Sequence, residues 1–309
     1  MKVSLSMIVI IVLNFNDHRT LSPTKEYQSM QKQKITGLAL DSNKYYNFHS
    51  PVETFILDKK LTEISSLAYN SDDHTIFTNE DEHGHFFILS SDDLKIHDEV
   101  KFSKKDDYEA IEKVGNEIII AKSTGTLYFY NTKTQETTSY NTEMKSKNNV
   151  EGLCYHKKLN SLLLACKGKP LDEKKGERNK KCIYTFDLNS KKLNPEPFFC
   201  VLDDDLISYV KKTHESKSKS ELKKLKKKAR SFSPSGIAIH PVTADYYITS
   251  AKGSSIAIVS KKLKLKHFIL LNQKKIPQPE GITFDTHADL FISSEGHGSK
   301  GKVFKFVMN

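Results

Sequence analysis

The chain has no cysteine pair at zinc-binding spacing, no His-Glu-x-x-His run, no Ser-His-Asp constellation and no GxxxxGK(S/T) phosphate loop. These absences remove the motif-borne metalloprotease, serine-hydrolase and nucleotide-binding classes. The four cysteines, Cys154, Cys166, Cys182 and Cys200, lie in or beside apolar runs. There a free thiol behaves as a small buried hydrophobe, and a structural metal–thiolate site is not expected. In an oxidising compartment two of them could pair across neighbouring strands, but their spacing does not say which two.

Long apolar runs are also missing. The one extended stretch, Leu5 to Phe15 after Lys2, has about the length of a signal-peptide core and is too short to span a bilayer comfortably. No small-residue cleavage site follows it, and no nearby Cys could carry a lipid. Export is the expectation, with residues 1–33 as signal or N-terminal anchor segment and linker. An uncleaved anchor or a buried first strand are the alternatives.

At 309 residues and 37% hydrophobic content the chain can bury a full core. Its net charge of +10 would suit a nucleic-acid partner if it were spread over a face. It is not spread. Between Lys211 and Arg230 ten Lys or Arg face two Glu, a local +8, so one segment carries nearly all the excess. No nucleic-acid partner is expected, and a monomer is.

The apolar residues that remain sit in short runs rich in β-branched and aromatic side chains, the pattern of strands. Those runs repeat. Segments beginning at Glu63, Tyr108, Val150, Pro234 and Pro279 each read strand, tight turn, strand, loop, strand. A fourth strand follows the first four copies, at "KIHDEVKF", "ETTSYN", "EPFFCV" and "KHFILL". The last copy runs out of chain after three strands, and "ETFILDK" near the N-terminus supplies its missing partner, closing a ring and protecting its edges. The expected fold is an all-β propeller of five four-stranded blades over residues 34–309, with six blades as the alternative. The spacing between the third and fourth copies is about twice the others. The surplus, about 205–231, carries Ile207, Val210, Leu222 and Leu225 on a basic helical pattern and reads as a rim helix dispensable for folding.

"EISSLAY", "TNEDEHG", "DYEAI", "VEGL", "LLLACK", "PSGIAIHP", "QPEGITFD" and "LFISSEG", in that order, resemble the SdiA-regulated proteins, bacterial envelope-associated β-propellers. The likeness runs from about Glu63 to the C-terminus, and it is the ordered set that is specific. Ser66 and Ala110 stand where the pattern has Gly, and the lipid-anchor Cys of exported relatives is missing. The resemblance implies a propeller in the periplasm or associated with the membrane; it implies no established reaction.

In a propeller the first strand of each blade lines the axis, beside the end of the strand returning from its turn. This adjacency places Glu63 near Glu80 and Asp81, Glu109 near Lys122, Glu151 near Lys167, Ser235 near Ser250, and Glu280 near Glu295. Carboxylates gathered in a partly enclosed mouth must be protonated, paired with Lys or bound to a cation. The candidate ligand-binding set is Glu63, Glu80, Glu109, Lys122, Glu151, Lys167, Ser235, Glu280 and Glu295. Hard oxygen donors point to calcium as the only cofactor, on Glu63, Asp81 and Glu280. Against this stands a purely structural role, each Glu accepting backbone N–H groups of the next blade, with Lys122 and Lys167 as ion-pair partners. The loop residues His83, His85, His240 and His297 are expected to be exposed. The functional expectation is an exported propeller binding a small ligand or protein partner at this mouth. A metal-assisted hydrolase resembling lactonase or phytase propellers, and a scaffold whose rim helix meets lipid or protein, are the alternatives.

Overall fold

A computed structural model describes residues 45–172, 179–296 and 298–309. The expected leader and His297 lie outside the described residues. The short runs form strands, because each alternation buries one side chain on either face of a blade sandwiched between two others. β1 (Glu53–Ile56) precedes the first full blade, which is β2 (Ile64–Asn70), β3 (Thr75–Glu80), β4 (His85–Ser90) and β5 (Ile96–Lys101). The second is β6 (Tyr108–Val114), β7 (Glu117–Lys122), β8 (Leu127–Asn131) and β9 (Thr137–Tyr140). The third holds β10 (Val150–His156), β11 (Ser161–Cys166) and β12 (Lys180–Asp187); its outer edge is shared by β13 (Lys192–Leu193) and β14 (Phe199–Leu202). The fourth is β15 (Gly236–Ile239), β16 (Tyr246–Ser250), β17 (Ser255–Val259) and β18 (Leu265–Leu270). The fifth has β19 (Pro279–Phe284), β20 (Leu290–Ser294) and β21 (Lys302–Phe306), and β1 pairs antiparallel with β21 to complete it. The blade count and the closing strand are those expected from the repeat.

β2, β6, β10, β15 and β19 are the innermost strands, each against the next around the axis. Where each turns back into its partner, one residue takes left-handed backbone: His74, Gly115, Asn160, Ala244 and Ala288. Apolar layers fill the space between blades, for example Leu61, Ile64, Phe87, Phe291 and Val303 between the fifth and first.

The surplus segment differs from the expectation. It forms two helices, α1 (Asp203–Thr213) and α2 (Lys219–Arg230). Three Asp in the first turn of α1 and two Lys in its last complement the helix dipole. α2 starts on a reciprocal capping box between Ser218 and Glu221. Leu206, Ile207, Val210, Ala229 and Phe232 join the core of the third and fourth blades. The single rim helix expected is thus two helices with a packed inner side, and only the outward half is a solvated charged face. Among the described residues no helix is long and apolar enough to cross a membrane. A disulfide joins Cys182 of β12 to Cys200 of β14, and Cys154 and Cys166 are free and buried.

Candidate functional site

The pairing register is interrupted between Ile64 and Ser66, Tyr108 and Ala110, Val150 and Gly152, and Pro279 and Ile282. A bulge leaves one residue unpaired and re-aims its side chain. Here the residues so placed are Ser65, Glu109, Glu151 and Glu280, all at one end of the innermost strands. Ser235 holds the corresponding position in the fourth blade, just before β15. The residue after each is small: Ser66, Ala110, Gly152, Gly236 and Gly281. A Cβ on Gly236 would come within 2.5 Å of the Glu280 carbonyl oxygen, so this residue sets how closely neighbouring innermost strands approach.

Glu109, Glu151 and Glu280 meet around Lys167, the residue after β11. The Lys167 ammonium donates to both oxygens of the buried Glu151 at 3.0 Å, and Asn149 Nδ2 donates to Glu151 at 2.6 Å. Burial opposes the charge on Lys167, but Glu151, Glu280 and Glu109 outweigh it and hold the ammonium above its ordinary range. Burial pushes Glu109 up to about 8, helped by Glu151 and Asp107. Burial, then Glu295, raises Glu280 well above the carboxylate range. The cluster is thus one ion pair, Lys167 with Glu151, flanked by two acids whose burial favours the protonated form. Glu280 is only 6% exposed, and no donor among the described residues hydrogen-bonds its carboxyl. Glu295 stands beside it and accepts from Gln278 Nε2 at 2.7 Å.

The other expected members fall elsewhere. Glu63 is corrected out of the ring: it is exposed, two residues ahead of the bulge, where the repeat places Ser65. It lines a cleft of about 550 Å³ with Glu80, Asp81, His83, His85 and Glu99. Asp81 there is pushed up to about 6 by burial and by Glu80 and Glu63, and its Oδ1 is buried without a partner among the described residues. Glu80 caps its own loop, accepting from the backbone N–H of His83 and of Glu82 and bonding His83 Nδ1 at 2.8 Å. Lys122 pairs with Asp106 at 2.7 Å. Ser235 ties blades together, its hydroxyl donating to the Pro279 carbonyl at 2.6 Å and accepting from the Ala251 N–H at 3.2 Å.

The expected calcium set is therefore divided, Glu63 and Asp81 in the cleft and Glu280 at Lys167. Among the described residues no three Asp, Glu, His or Cys side chains are placed to hold a metal ion. His240, expected to be exposed, is fully buried; it bonds the Tyr46 hydroxyl at 3.0 Å, and burial lowers its pKa to about 4.

The blade-tying carboxylate does exist, but at another position. Glu112 accepts from the N–H of Tyr155 in the next blade at 2.8 Å and from the Lys113 N–H at 2.9 Å. Glu109, Glu151 and Glu280 accept no such backbone bond among the described residues. Sequence reading also missed Asp107, Asn149 and Gln278, polar residues just before or between the repeat's apolar positions.

Comparison with curated proteins finds none that matches this chain. Among solved structures, the glutaminyl cyclase of Myxococcus xanthus superposes with a TM-score of 0.53 at 9% identity, over 84% of this chain and 96% of that one. A luciferin-regenerating enzyme has a TM-score of 0.49 at 12% identity, over 84% of this chain and 95% of that one. For streptogramin B lyase the values are 0.47 and 12%, over 83% and 97%. At 9% identity the likeness to the glutaminyl cyclase shows the fold alone. The SdiA-regulated family profile matches residues 41–297, most of the chain including every blade's innermost strand, and the chain belongs to that family.

Proposed function

We propose that the protein is an exported propeller of the bacterial envelope that binds a small cationic ligand at the mouth formed by Glu109, Glu151, Glu280 and Lys167. The observation that carries this reading is Glu280, buried beside Glu295, Lys167, Glu151 and Glu109 with no donor among the described residues on its carboxyl. A carboxyl that served only to join blades would be satisfied as Glu112 is. An approaching cation would release the protons of Glu109 and Glu280, and their carboxylates would then hold it. An organic amine suits the site better than calcium, since no three carboxylates among the described residues are placed to hold a metal ion; calcium is the alternative. The Cys182–Cys200 disulfide and the apolar run from Leu5 to Phe15 support export, since disulfides persist in oxidising compartments.

Melting of the purified chain tests this with calcium and with putrescine as probes. One of them, at about 100 times its Kd, should raise the melting temperature by about 5 °C, because a ligand that binds only the folded state stabilises it by mass action. Glu280→Gln preserves the shape of the protonated acid, so it should leave the ligand-free melting temperature nearly unchanged while removing most of that increment. Unchanged melting with either probe would contradict a cation site.

A further inference from the structure

We propose that the helical hairpin of α1 and α2 is a docking surface for an anionic lipid bilayer. The hairpin's apolar positions face inward: Leu206, Ile207, Val210 and Ala229 are buried, and Leu222 and Leu225 pack against the same core. Nothing apolar is left to insert, so any contact outside must be electrostatic. The outward face of α2 is crowded with like charge, whereas α1 exposes Asp204 and Asp205 in its first turn. Lys219, Lys223, Lys224 and Lys227 are exposed, with no carboxylate in ion-pair range among the described residues; on α2 only Glu221 answers, to Lys217 at 3.9 Å. Seven of the twelve residues of α2 are Lys or Arg, on a helix whose other side is fixed to the propeller. Such a display serves no fold purpose, because like charges on one helix repel.

The occupant follows from charge and compartment. A polybasic helix face whose apolar residues are turned into the core lacks the desolvated centre that protein partners use, and Lys is depleted at protein interfaces. It suits a diffuse sheet of anionic headgroups, where each Lys near the surface adds attraction independently. The Cys182–Cys200 disulfide holds β14, the strand that leads directly into α1, and an oxidising compartment offers lipid headgroups rather than nucleic acid. The apolar run from Leu5 to Phe15, in the 44 residues that precede the described chain, would keep the protein close to such a surface.

The test is co-sedimentation of the full chain with vesicles of phosphatidylcholine alone and of phosphatidylcholine with 40% (about two in five) phosphatidylglycerol, at low and physiological salt. The reading is the ratio of the two partition coefficients, since the uncharged leader run contributes alike to both. The wild-type ratio should be well above one and fall with salt. Lys223→Gln, Lys224→Gln and Lys227→Gln together should lower binding to the anionic vesicles about a hundredfold. All three are exposed, and an unchanged thermal melt verifies folding. Equal partitioning of the triple variant and the wild type, or a wild-type ratio near one, would overturn the proposal. So would a duplex DNA that displaces the protein from anionic vesicles at equal phosphate concentration.

Discussion

Gly281→Ala should destabilise the propeller by about 3 kcal/mol, near the top of the usual range for overpacking, and lower its melting temperature by roughly 10 °C. The added Cβ would lie 2.6 Å from both the Leu67 nitrogen and the Ser66 carbonyl carbon, with Ser293 Oγ at 2.8 Å. Two of these are backbone atoms of β2, the innermost strand of the first blade, so no side chain can rotate away to make room. The collision falls where the last blade meets the first and the ring closes. The same residue donates its N–H to Ser293 Oγ at 2.7 Å, a bond that spreading would lengthen. Ala110 occupies the equivalent place in the second blade, which shows that the demand for glycine comes from local spacing and not from the bulge itself. Urea unfolding of the variant would measure the effect. A loss below about 1 kcal/mol would show that the innermost strands can part without breaking the ring.

Phe232→Ala should cost about 3–5 kcal/mol, the range for truncating a fully buried aromatic side chain. Phe232 is 1% exposed and meets Phe268 of β18 edge to face at 6.0 Å, in the cluster that also takes Leu206, Val210 and Ala229 from the hairpin. It is the point at which the chain leaves α2 and enters the fourth blade. Removing the ring leaves a cavity between the helices and the sheet that neither rigid element can fill. Single Lys→Gln changes on the outward face of α2 should stay within about 0.5 kcal/mol. Chemical denaturation separates the two classes directly. A Phe232→Ala variant as stable as the Lys variants would mean that the hairpin is an appendage after all.

Charge hid that role in the sequence. With ten basic residues between Lys211 and Arg230, the apolar minority reads as too sparse to matter, yet Leu206, Ala229 and Phe232 at its margins carry the packing. The break between the helices is legible in the sequence, where Ser218 and Glu221 have the spacing of a capping box. The blades were readable because each strand is a short apolar run of fixed order, and the truncated last copy required a donor strand. At the mouth, the Glu151–Lys167 pair follows from simple adjacency across a hairpin. Glu63 lies outside the ring because it stands two residues before the bulge position that Glu109, Glu151 and Glu280 fill. Aligning Leu67 with Leu153 and Ile282, the apolar positions that must face the core, puts Ser65 opposite Glu151 and Glu280. Lys122 shows the other limit: strand pairing fixes where its backbone lies, while its side chain selects Asp106.

The central claim, that the acids at Lys167 exchange protons for a cation, is reached most directly by calorimetric titration. The unmodified protein would be titrated with calcium and with putrescine at pH 6 and pH 8, each in two buffers of different ionisation enthalpy. Glu109 and Glu280 have folded-state pKa values raised above their unfolded ones, Glu109 to about 8. For Glu109 the stability this contributes to the empty site is complete below about pH 4.5 and is lost as pH rises through about 8; for Glu280 it is lost in the same direction. A bound cation must therefore displace protons below that point. The account predicts that affinity for at least one probe is higher at pH 8 than at pH 6, by about tenfold per pH unit and per proton released while pH stays below the acids' folded pKa values, and that the measured heat depends on the buffer. Binding of equal strength at both pH values with buffer-independent heat, or no binding of either probe, would contradict it.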